Sequence, residues 1–172
     1  MTEEASSDDR GVDVSFDDFY RAEYAAVVRL AFALTGRREV AEELAQEGFI
    51  AAHRRWAAVS AYDNPAGWVR RVVTNQCVSL ARRRMVEVRL LVRLGQERPE
   101  QPRIGAPGAE LWAMVRELPR RQAQVVALAF LEDRSVRDIA EILGCGEESV
   151  RTHLRRGRQA LVRRLDEGSG DG

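Results

Sequence analysis

The chain has 172 residues, of which 27 are basic and 27 are acidic, so its formal net charge is zero. All the basic residues are arginines, and a hydrophobic fraction of 45% indicates a globular protein and excludes wholesale disorder. No run of about 18 apolar residues is present, which excludes a transmembrane helix, and the acidic start of the chain is unlike a signal peptide. Cys77 and Cys145 are too few for a disulfide scaffold or a cysteine-based zinc site. We expect no metal site and no cofactor.

Helical periodicity dominates the sequence and strand alternation is nearly absent, which predicts an all-α fold. Ser15 followed by Asp18 is a capping pattern, and it predicts a first helix that ends at Gly36. A second helix is expected to begin near Arg38. Its predicted inner face consists of Val40, Leu44, Ala45, Gly48, Phe49, Ala52 and Trp56.

Asn64-Pro65 predicts the start of a third helix, because proline is favoured at the first helical position, and this helix is expected to end near Arg84. Residues 95–108 contain three prolines and three glycines, which is a linker composition. The sequence therefore predicts two small helical domains joined by a flexible linker. The expected boundaries are an acidic tail at 1–14, a first domain at 15–84, a linker at 85–108, a second domain at 109–165 and an acidic tail at 166–172.

The second domain begins with a short apolar helix that stops before Pro119, and Pro119 can open the next helix. A further helix is expected over Ser135–Leu143, and Gly144 supplies a residue that accepts a positive φ at the following turn. The last helix is expected over Glu147–Leu165. This pattern predicts a helix-turn-helix over Val136–Gln159.

The zero net charge hides two arginine-containing stretches without any acid, 64–86 and 149–165. Such stretches are typical of a protein that binds a polyanion, and the alternative for each is an ordinary solvated helix face. In the last helix, polar side chains project opposite the apolar stripe: Arg151, Thr152, Arg155, Arg156 and Arg158, with His153 beside them. That face suits the major groove of DNA, but the sequence does not assign which arginine contacts bases and which contacts phosphates.

The second helix carries an acidic patch on its early turns, formed by Glu42, Glu43, Gln46 and Glu47. The patch has two interpretations: simple complementarity to the helix dipole, or a docking surface for a basic partner. Near the third helix, Tyr62 and Trp68 alternate with arginines, a combination that suits unpaired bases. Trp56 and Trp68 are favoured as core residues over stacking platforms.

From Phe16 to Leu165 the chain resembles bacterial extracytoplasmic-function sigma factors, the small two-domain members of the sigma-70 family. The resemblance rests on Leu34-Thr35-Gly36, on Ala41 to Phe49, on Asn64 to Asn75, on Leu118 to Gln122 and on Leu131 to Gly144, in that order and spacing. The sequence departs from the family at Gly146, where serine or threonine usually caps the recognition helix, and at Gly48 and Gly157, where larger or more helix-favouring residues are commoner.

The resemblance implies an RNA polymerase sigma factor that directs promoter recognition, −10 melting and transcription initiation in the cytoplasm. The implied partners are core RNA polymerase, through the β′ clamp helices and the β flap, promoter DNA, and an anti-sigma factor as a candidate. The implied core-binding residues are Glu42, Glu43, Gln46, Glu47 and Phe49. The implied −10 residues are Ser60, Tyr62, Asp63, Asn64, Trp68, Arg70, Arg71, Asn75, Arg82, Arg83 and Arg84. The implied −35 residues are Arg134, Ser149, Arg151, Thr152, His153, Arg155, Arg156 and Arg158.

Three alternatives differ from this interpretation. A helix-turn-helix regulator that never binds polymerase accounts for residues 109–165 but leaves 15–84 unexplained. An enzyme is disfavoured, because His53 and His153 are far apart, no nucleophile constellation accompanies them and no phosphate-binding glycine loop is present. A redox switch through the two cysteines is disfavoured relative to packing roles in a reducing cytoplasm.

Overall fold

A computed structural model describes residues 15–94 and 108–169, and within these two ranges it contains eight α-helices and no strand. The all-α prediction is confirmed. The helices are α1 (Phe16–Thr35), α2 (Arg38–His53), α3 (Trp56–Val59), α4 (Pro65–Arg93), α5 (Ala109–Arg116), α6 (Arg120–Phe130), α7 (Val136–Leu143) and α8 (Glu147–Ser169). The predicted acidic tail at 1–14, the Pro/Gly-rich part of the predicted linker at 95–107 and the last residues at 170–172 lie outside the described residues.

Helices α1, α2 and α4 form the first block, and their ends follow the predicted signals. The Ser15 hydroxyl accepts a hydrogen bond from the Asp18 backbone N–H at 3.2 Å, and Gly36 ends α1 with a φ of 69°. Gly48 sits where α2 crosses α4, and a methyl group there would lie 2.5 Å from Cγ2 of Val73. Glycine therefore allows the two helices to approach closely, which gives a physical reason for the departure from the family at this position.

An aromatic cluster fills the end of the first block. The ring of Phe49 lies 5.8 Å from that of Phe19 and 5.0 Å from that of Tyr20. Trp56 packs on Phe16 and Phe19 at 5.3 Å and 4.9 Å, so its predicted core role is confirmed. It belongs to α3, however, because α2 ends at His53 and the chain turns before Trp56.

The second block contains α5 to α8, with the helix-turn-helix formed by α7 and α8. Ser135 and Asp138 cap α7 reciprocally in a capping box, and Gly144 ends α7 with a φ of 62°. Val150 in α8 is fully buried. A methyl group on Gly157 would lie 2.9 Å from Cγ2 of Val126, so glycine again permits a close helix crossing, here between α6 and α8.

Two predicted helix ends are too early. Helix α4 continues to Arg93, nine residues beyond the predicted end near Arg84, so that the first part of the predicted linker is helical. The residues between these two arginines include neither glycine nor proline, and nothing in them stops a helix. Helix α8 likewise continues past Leu165 to Ser169. No helix in the described ranges is both long enough and apolar enough to cross a membrane.

The two blocks pack directly against each other. Helix α1 contacts α5 and α6, and α4 contacts α6 and α7. The buried apolar side chains of both blocks belong to one continuous cluster, in which Val73 and Cys77 of α4 are joined with Val125 and Leu128 of α6. Two tethered helical domains were predicted from the sequence, but nothing in the periodicity indicated that the domains share an interface.

Candidate nucleic-acid and polymerase interfaces

The acidic patch of α2 is exposed. Glu43, Gln46 and Glu47 are solvent-accessible, and Glu42 is half-buried beside Arg38, whose Nε donates to its carboxylate at 2.9 Å. The carboxylate of Glu47 also accepts a hydrogen bond from Nε2 of Gln76 at 3.3 Å. Most of the charge of this patch is therefore available to a partner on the outer surface of the first block.

Phe49 does not belong to this surface. Its side chain is 2% exposed and lies inside the aromatic cluster of the first block. Phe49 points inward because it follows Ala45 by one helical turn and precedes Ala52 by nearly another, and both alanines are fully buried. The predicted direct contact of Phe49 with a polymerase surface is corrected to a role in the core that supports α2.

The loop between α3 and α4 lies beside an open cleft of about 400 Å³. Tyr62 is 48% exposed at its edge, and Asp63 is exposed as well. Asn64 caps α4, since its Oδ1 accepts the Gly67 backbone N–H at 2.6 Å. The cleft is lined by Ala61, Tyr62, Asp63, Asn64, Gly67, Trp68 and Arg71 from the first block and by Glu141 and Ile142 from the second.

Arg70 of α4 is 2% exposed, although it was predicted to contact DNA. Its Nη1 donates to Glu23 of α1 at 2.8 Å, and its Nε donates to Glu132 in the loop between α6 and α7. Burial lowers the pKa of Arg70, but the hydrogen bonds and charges of Glu132 and Glu23 raise it by more, so that the pKa lies above the ordinary value of arginine. The guanidinium is thus a buried cation held between two carboxylates, one from each block.

Asn75, five residues further along α4, also bonds to the second block. Its Oδ1 accepts hydrogen bonds from Nη2 of Arg120 at 2.6 Å and from Nε2 of Gln124 at 3.0 Å. Arg71 and Arg83 are exposed, and Ser60 is half-buried. The side chains of Arg82 and Arg84 lie outside the described part of the structure. The predicted −10 residues of α4 therefore do not share one face: Arg71 and Arg83 are exposed, Asn75 is bonded to the second block, and Arg70 is buried between the two blocks.

The predicted −35 face of α8 is exposed to solvent. Ser149, Arg155 and Arg156 are accessible, whereas Thr152 and His153 are half-buried. Burial is the main cause that lowers the pKa of His153, and the neighbouring charges of Arg121 and Arg156 lower it further, which favours the neutral imidazole.

Three arginines of the predicted −35 set already have partners within the second block. Arg151 is paired with Glu147 at 2.6 Å and with Glu148 at 3.6 Å. Arg158 lies over the ring of Phe130, 5.5 Å from its centroid, and half-buried Arg134 is paired with Glu132 at 3.4 Å. Each of these contacts orients an arginine side chain, and a DNA contact through the same N–H groups would have to replace it.

Four residues that hold the α4 surface were not singled out from the sequence: Glu23, Glu132, Arg120 and Gln124. Gln124 could have been found from the sequence, because it is the one polar residue in the otherwise apolar stretch from Ala123 to Leu128. A polar side chain at a buried position needs a hydrogen-bond partner. Glu132 left none, since its partner Arg70 is 62 residues away in the chain.

Comparison with known proteins matches both blocks. The family model described as Sigma-70 region 2 matches residues 19–86, and the model described as Sigma-70, region 4 matches residues 108–161. The ECF RNA polymerase sigma factor SigE of Mycolicibacterium smegmatis is 33% identical over 157 residues, which cover 86% of this chain and 60% of that protein. The chain thus spans less than two thirds of the length of this relative.

Two further relatives are matched over more of their own length. The ECF RNA polymerase sigma factor SigM of Mycobacterium tuberculosis is 29% identical, over 88% of this chain and 77% of that protein. The RNA polymerase sigma factor YlaC of Bacillus subtilis is 27% identical, over 88% and 92%. A chain of the co-crystal structure of the sigma factor RpoE with the anti-sigma factor NepR from Bartonella quintana has the same fold, with a TM-score of 0.67 at 21% identity, over 88% of this chain and 96% of that chain.

Proposed function

This chain belongs to the sigma-70 family, and we propose that it is a sigma factor of the extracytoplasmic-function type, which binds core RNA polymerase in the cytoplasm and directs it to promoters. The observation that carries the proposal is that region 2 and region 4 match in one chain, in that order, over 19–86 and 108–161. A helix-turn-helix regulator without a polymerase partner accounts for the second match only. The proposed role is regulatory and assigns no catalytic step to this chain.

Core binding is assigned to the acidic patch of α2. The exposed side chains of Glu43, Gln46 and Glu47 lie on consecutive turns, so they present a negative surface that complements a basic helix of the β′ subunit. Complementary charges of this kind accelerate encounter and set the register of two surfaces. Phe49 contributes by packing beneath the patch rather than by contact.

Recognition of the −10 element is assigned to the loop before α4 and to the exposed face of α4. A base flipped out of the duplex needs a stacking partner and a cleft, and unstacking it costs a few kcal/mol. Exposed Tyr62 and half-buried Trp68 flank such a cleft, and Arg71 stands at its wall. Exposed Arg83 is assigned to the strand backbone along α4, whereas Arg70 is held by Glu23 and Glu132 in this structure. The amide oxygen of Asn75 is held by Arg120 and Gln124.

Recognition of the −35 element is assigned to α8, which is the second helix of the helix-turn-helix. Arg155 and Arg156 are exposed on adjacent positions, and Ser149 and Arg151 lie nearer the start of the helix. In this class of motif the recognition helix lies in the major groove and its N-terminal residues contact base edges. Two weak DNA-binding surfaces in one chain gain affinity through effective concentration once polymerase holds both.

Reconstituted transcription tests the proposal. Core RNA polymerase is mixed with the full-length protein and with fragments of the genome that encodes it, and RNA that starts at defined promoters is the expected result. Competition with a housekeeping sigma factor for core polymerase is the control that separates a sigma factor from a regulator. If no fragment yields a specific start and core binding shows no competition, the proposed function is wrong.

A further inference from the structure

Helix α4 continues well beyond the core of the first block. Its last buried residue among those described is Val78, yet the helix runs on to Arg93, and the Leu94 backbone N–H still donates to the Leu90 carbonyl at 3.1 Å. Residues 79–94, named the α4 extension, would span about 24 Å at the helical rise per residue. Every side chain that the structure describes in this extension is exposed. The extension therefore offers a surface that the core of the protein does not use.

The exposed side of the α4 extension is apolar. Four of the ten large apolar side chains that are exposed in the described residues lie here: Leu80, Val86, Leu90 and Leu94, with exposed fractions of 41%, 58%, 57% and 69%. Together with exposed Arg83, they follow one another at spacings of three or four residues, so that they lie along one side of the helix. Contiguous exposed apolar side chains of this kind mark an interaction surface.

The same segment is strongly basic. Residues 80–94 contain five arginines and one glutamate, which leaves a net charge of +4. Arg83 and Arg93 are among the exposed side chains. An arginine lays its aliphatic stem along apolar groups and keeps its guanidinium in a polar, hydrated environment. Apolar side chains interspersed with arginines thus suit a boundary between hydrocarbon and anionic headgroups.

Other exposed apolar side chains of this protein have acidic neighbours. On α8, Val162 and Leu165 are exposed, but Asp166 and Glu167 follow them directly and are exposed as well. On α2, exposed Ile50 lies one turn after the acidic patch. An anionic surface would repel both of these places, whereas it would attract the α4 extension.

Three occupants make different demands on such a surface. The phosphates of a nucleic acid account for the arginines but leave the four apolar side chains in water. A stable dimer interface contains about 20–30 residues from each partner, far more than this single row of side chains provides. An anionic lipid bilayer uses both properties, because the apolar side chains enter the boundary between headgroups and acyl chains while the arginines are attracted to the headgroups.

We propose that the α4 extension is a reversible anchor that places this protein on the anionic surface of a membrane. The anchor is peripheral: the helix lies in the plane of the surface, and its apolar side chains enter to a depth of about 5–10 Å. Because only four such side chains are available, the attachment is weak and the protein exchanges between the membrane and the solution. The inference does not depend on the proposed function, since neither polymerase nor promoter DNA takes part in it.

Cosedimentation of the full-length protein with large unilamellar vesicles tests the anchor. One set of vesicles consists of phosphatidylcholine, and the other of equal parts of phosphatidylcholine and phosphatidylglycerol. At physiological salt we expect the partition coefficient for the anionic vesicles to exceed that for the zwitterionic vesicles by at least about tenfold. It should decrease at 1 M salt, where the Debye length is only about 3 Å.

The decisive variant is Val86→Gln/Leu90→Gln/Leu94→Gln, which removes three apolar side chains and keeps every charge. Glutamine is a good helix former, and we expect the partition coefficient to decrease by about tenfold or more. The matched control, Val162→Gln/Leu165→Gln, changes exposed apolar residues on another arginine-containing helix and should bind like the wild type.

The charge contribution is tested separately with Arg93→Gln. This substitution should weaken binding to the anionic vesicles by about fivefold, because that is the share of one arginine near an anionic surface. Binding to phosphatidylcholine vesicles should hardly change. Equal binding of Arg93→Gln and wild type to the anionic vesicles would contradict the electrostatic part of the anchor.

Circular dichroism checks that the variants keep their helices. If the triple variant fails to fold, Leu94→Gln takes its place, because Leu94 is 69% exposed and follows the last residue of α4; a loss of about threefold is then expected. The anchor is wrong if the wild type does not bind anionic vesicles. It is also wrong if the folded variant binds them as tightly as the wild type, since the arginines alone would then account for binding.

Two further measurements identify the other occupants. A dimer in sedimentation velocity that the triple variant abolishes, without any vesicle binding, assigns the apolar side to a second copy of the chain. Weaker binding of the triple variant to a 20-base-pair duplex, again without vesicle binding, assigns it to DNA. Either result overturns the anchor. Transcription with core polymerase tests the proposed function separately, so that each proposal can fail while the other stands.

Discussion

Helices α4 and α8 look alike in sequence and differ in the folded molecule. Each carries a stretch with arginines and no acid, 64–86 and 149–165. In α8 every arginine except half-buried Arg164 is exposed to solvent, and the carboxylates that pair with Arg151 are Glu147 and Glu148 of the same helix. In α4 Arg70 is buried between carboxylates from two other parts of the chain. The difference teaches that a basic stretch indicates an affinity for polyanions, whereas its accessibility depends on what packs against it.

The two cysteines should show the largest contrast between these helices. Cys77 on α4 is fully buried, and desolvation raises the pKa of its thiol to about 12, whereas Cys145 lies half-buried in the turn before α8. Since the thiolate is the reactive form, Cys77 should react with a thiol reagent at least about 1000-fold more slowly than its ordinary pKa would allow. Mass spectrometry after brief labelling should find Cys145 modified and Cys77 unmodified. Equal labelling of both in the folded protein would contradict the burial of this face of α4.

Arginine substitutions should sharpen the contrast in DNA binding. Arg156→Ala should weaken binding to a −35 duplex by about 1–3 kcal/mol if Arg156 contacts a base edge. Arg151→Ala should have a smaller effect, because Arg151 already donates to Glu147 at 2.6 Å and gives up that bond when it binds DNA. Footprinting or anisotropy on a promoter found by transcription measures both. Arg70→Ala is the control, since Arg70 is buried between Glu23 and Glu132, and an unchanged footprint for Arg156→Ala refutes its assignment.

Glycine-to-alanine substitutions test how closely α4 and α8 pack against their neighbouring helices, through the free energy of unfolding. Gly48→Ala should lower the free energy of unfolding by about 1–3 kcal/mol, because the added methyl group would lie 2.5 Å from buried Val73 on α4. Gly157→Ala should cost less, since its methyl group would lie 2.9 Å from Val126 under α8. Urea denaturation gives both values. The double variant Gly48→Ala/Val73→Ala should recover part of the loss through a favourable coupling, and its absence would show that the close crossing is not the cause.

Charge reversal on α2 tests whether the exposed patch is a docking surface. The double variant Glu43→Arg/Glu47→Arg should weaken binding to core polymerase by roughly tenfold, because like charges would face a basic partner. Its binding to a −35 duplex through α8 should be unchanged or slightly stronger, and this serves as the control for folding. Titration of labelled core polymerase measures the effect. If the affinity for core polymerase is unchanged, the acidic patch is not a docking surface, and its charges only complement the dipole of α2.

The smallest effect is expected at the cap of α7, which sets the angle of the helix-turn-helix. Ser135→Ala should destabilise the protein by about 1 kcal/mol, whereas Ser79→Ala on the exposed side of α4 should change the stability little. Hydrogen bonds from the Ser135 side chain and backbone lower the pKa of the Asp138 carboxyl below its ordinary value. A lowered pKa means that Asp138 stabilises the fold above the unfolded-state pKa and that this contribution is lost as the pH falls through the folded-state pKa. Thermal melts of Asp138→Asn and wild type should therefore differ near pH 7 and converge at strongly acidic pH; a constant difference would contradict the capping box.

Much of the fold is local and was therefore predictable. The predicted helix starts are confirmed, because a side-chain oxygen accepts a backbone N–H of the first helical turn at Ser15, Asn64 and Ser135. Two predicted helix ends are also confirmed, at Gly36 and Gly144, where φ is positive. These features depend on residues within one turn of each other, where sequence spacing dictates geometry. The end of α4 was misjudged because the linker was assigned from its prolines and glycines, whereas a helix also continues through any run that lacks a stop signal.

The surface sites were predictable in part. The α8 face and the α2 patch follow from helical periodicity, because a residue opposite an apolar stripe points to solvent. Periodicity also placed Phe49 correctly on the inner face of α2 with Ala45 and Ala52, and it was the family resemblance that assigned Phe49 to a polymerase contact. The burial of Arg70 was not predictable from the acid-free stretch or from the resemblance, because a buried arginine requires carboxylates, and those of Glu23 and Glu132 are supplied by other parts of the chain.

By itself, the sequence determined the helices, their caps and turns, the helix-turn-helix and the positions of the acidic and arginine-rich faces, since each of these depends on spacing within one element. Only the tertiary structure decided which of those faces is open. The pairing of Arg70 with Glu132 joins residues 62 positions apart, and that of Asn75 with Gln124 joins residues 49 apart. Contacts at such separations arise when two apolar faces bury each other, and the polar groups at the edge of that contact then find their partners. The neutral total charge is thus the sum of acidic and basic surfaces, and the tertiary structure decides which of these surfaces are accessible.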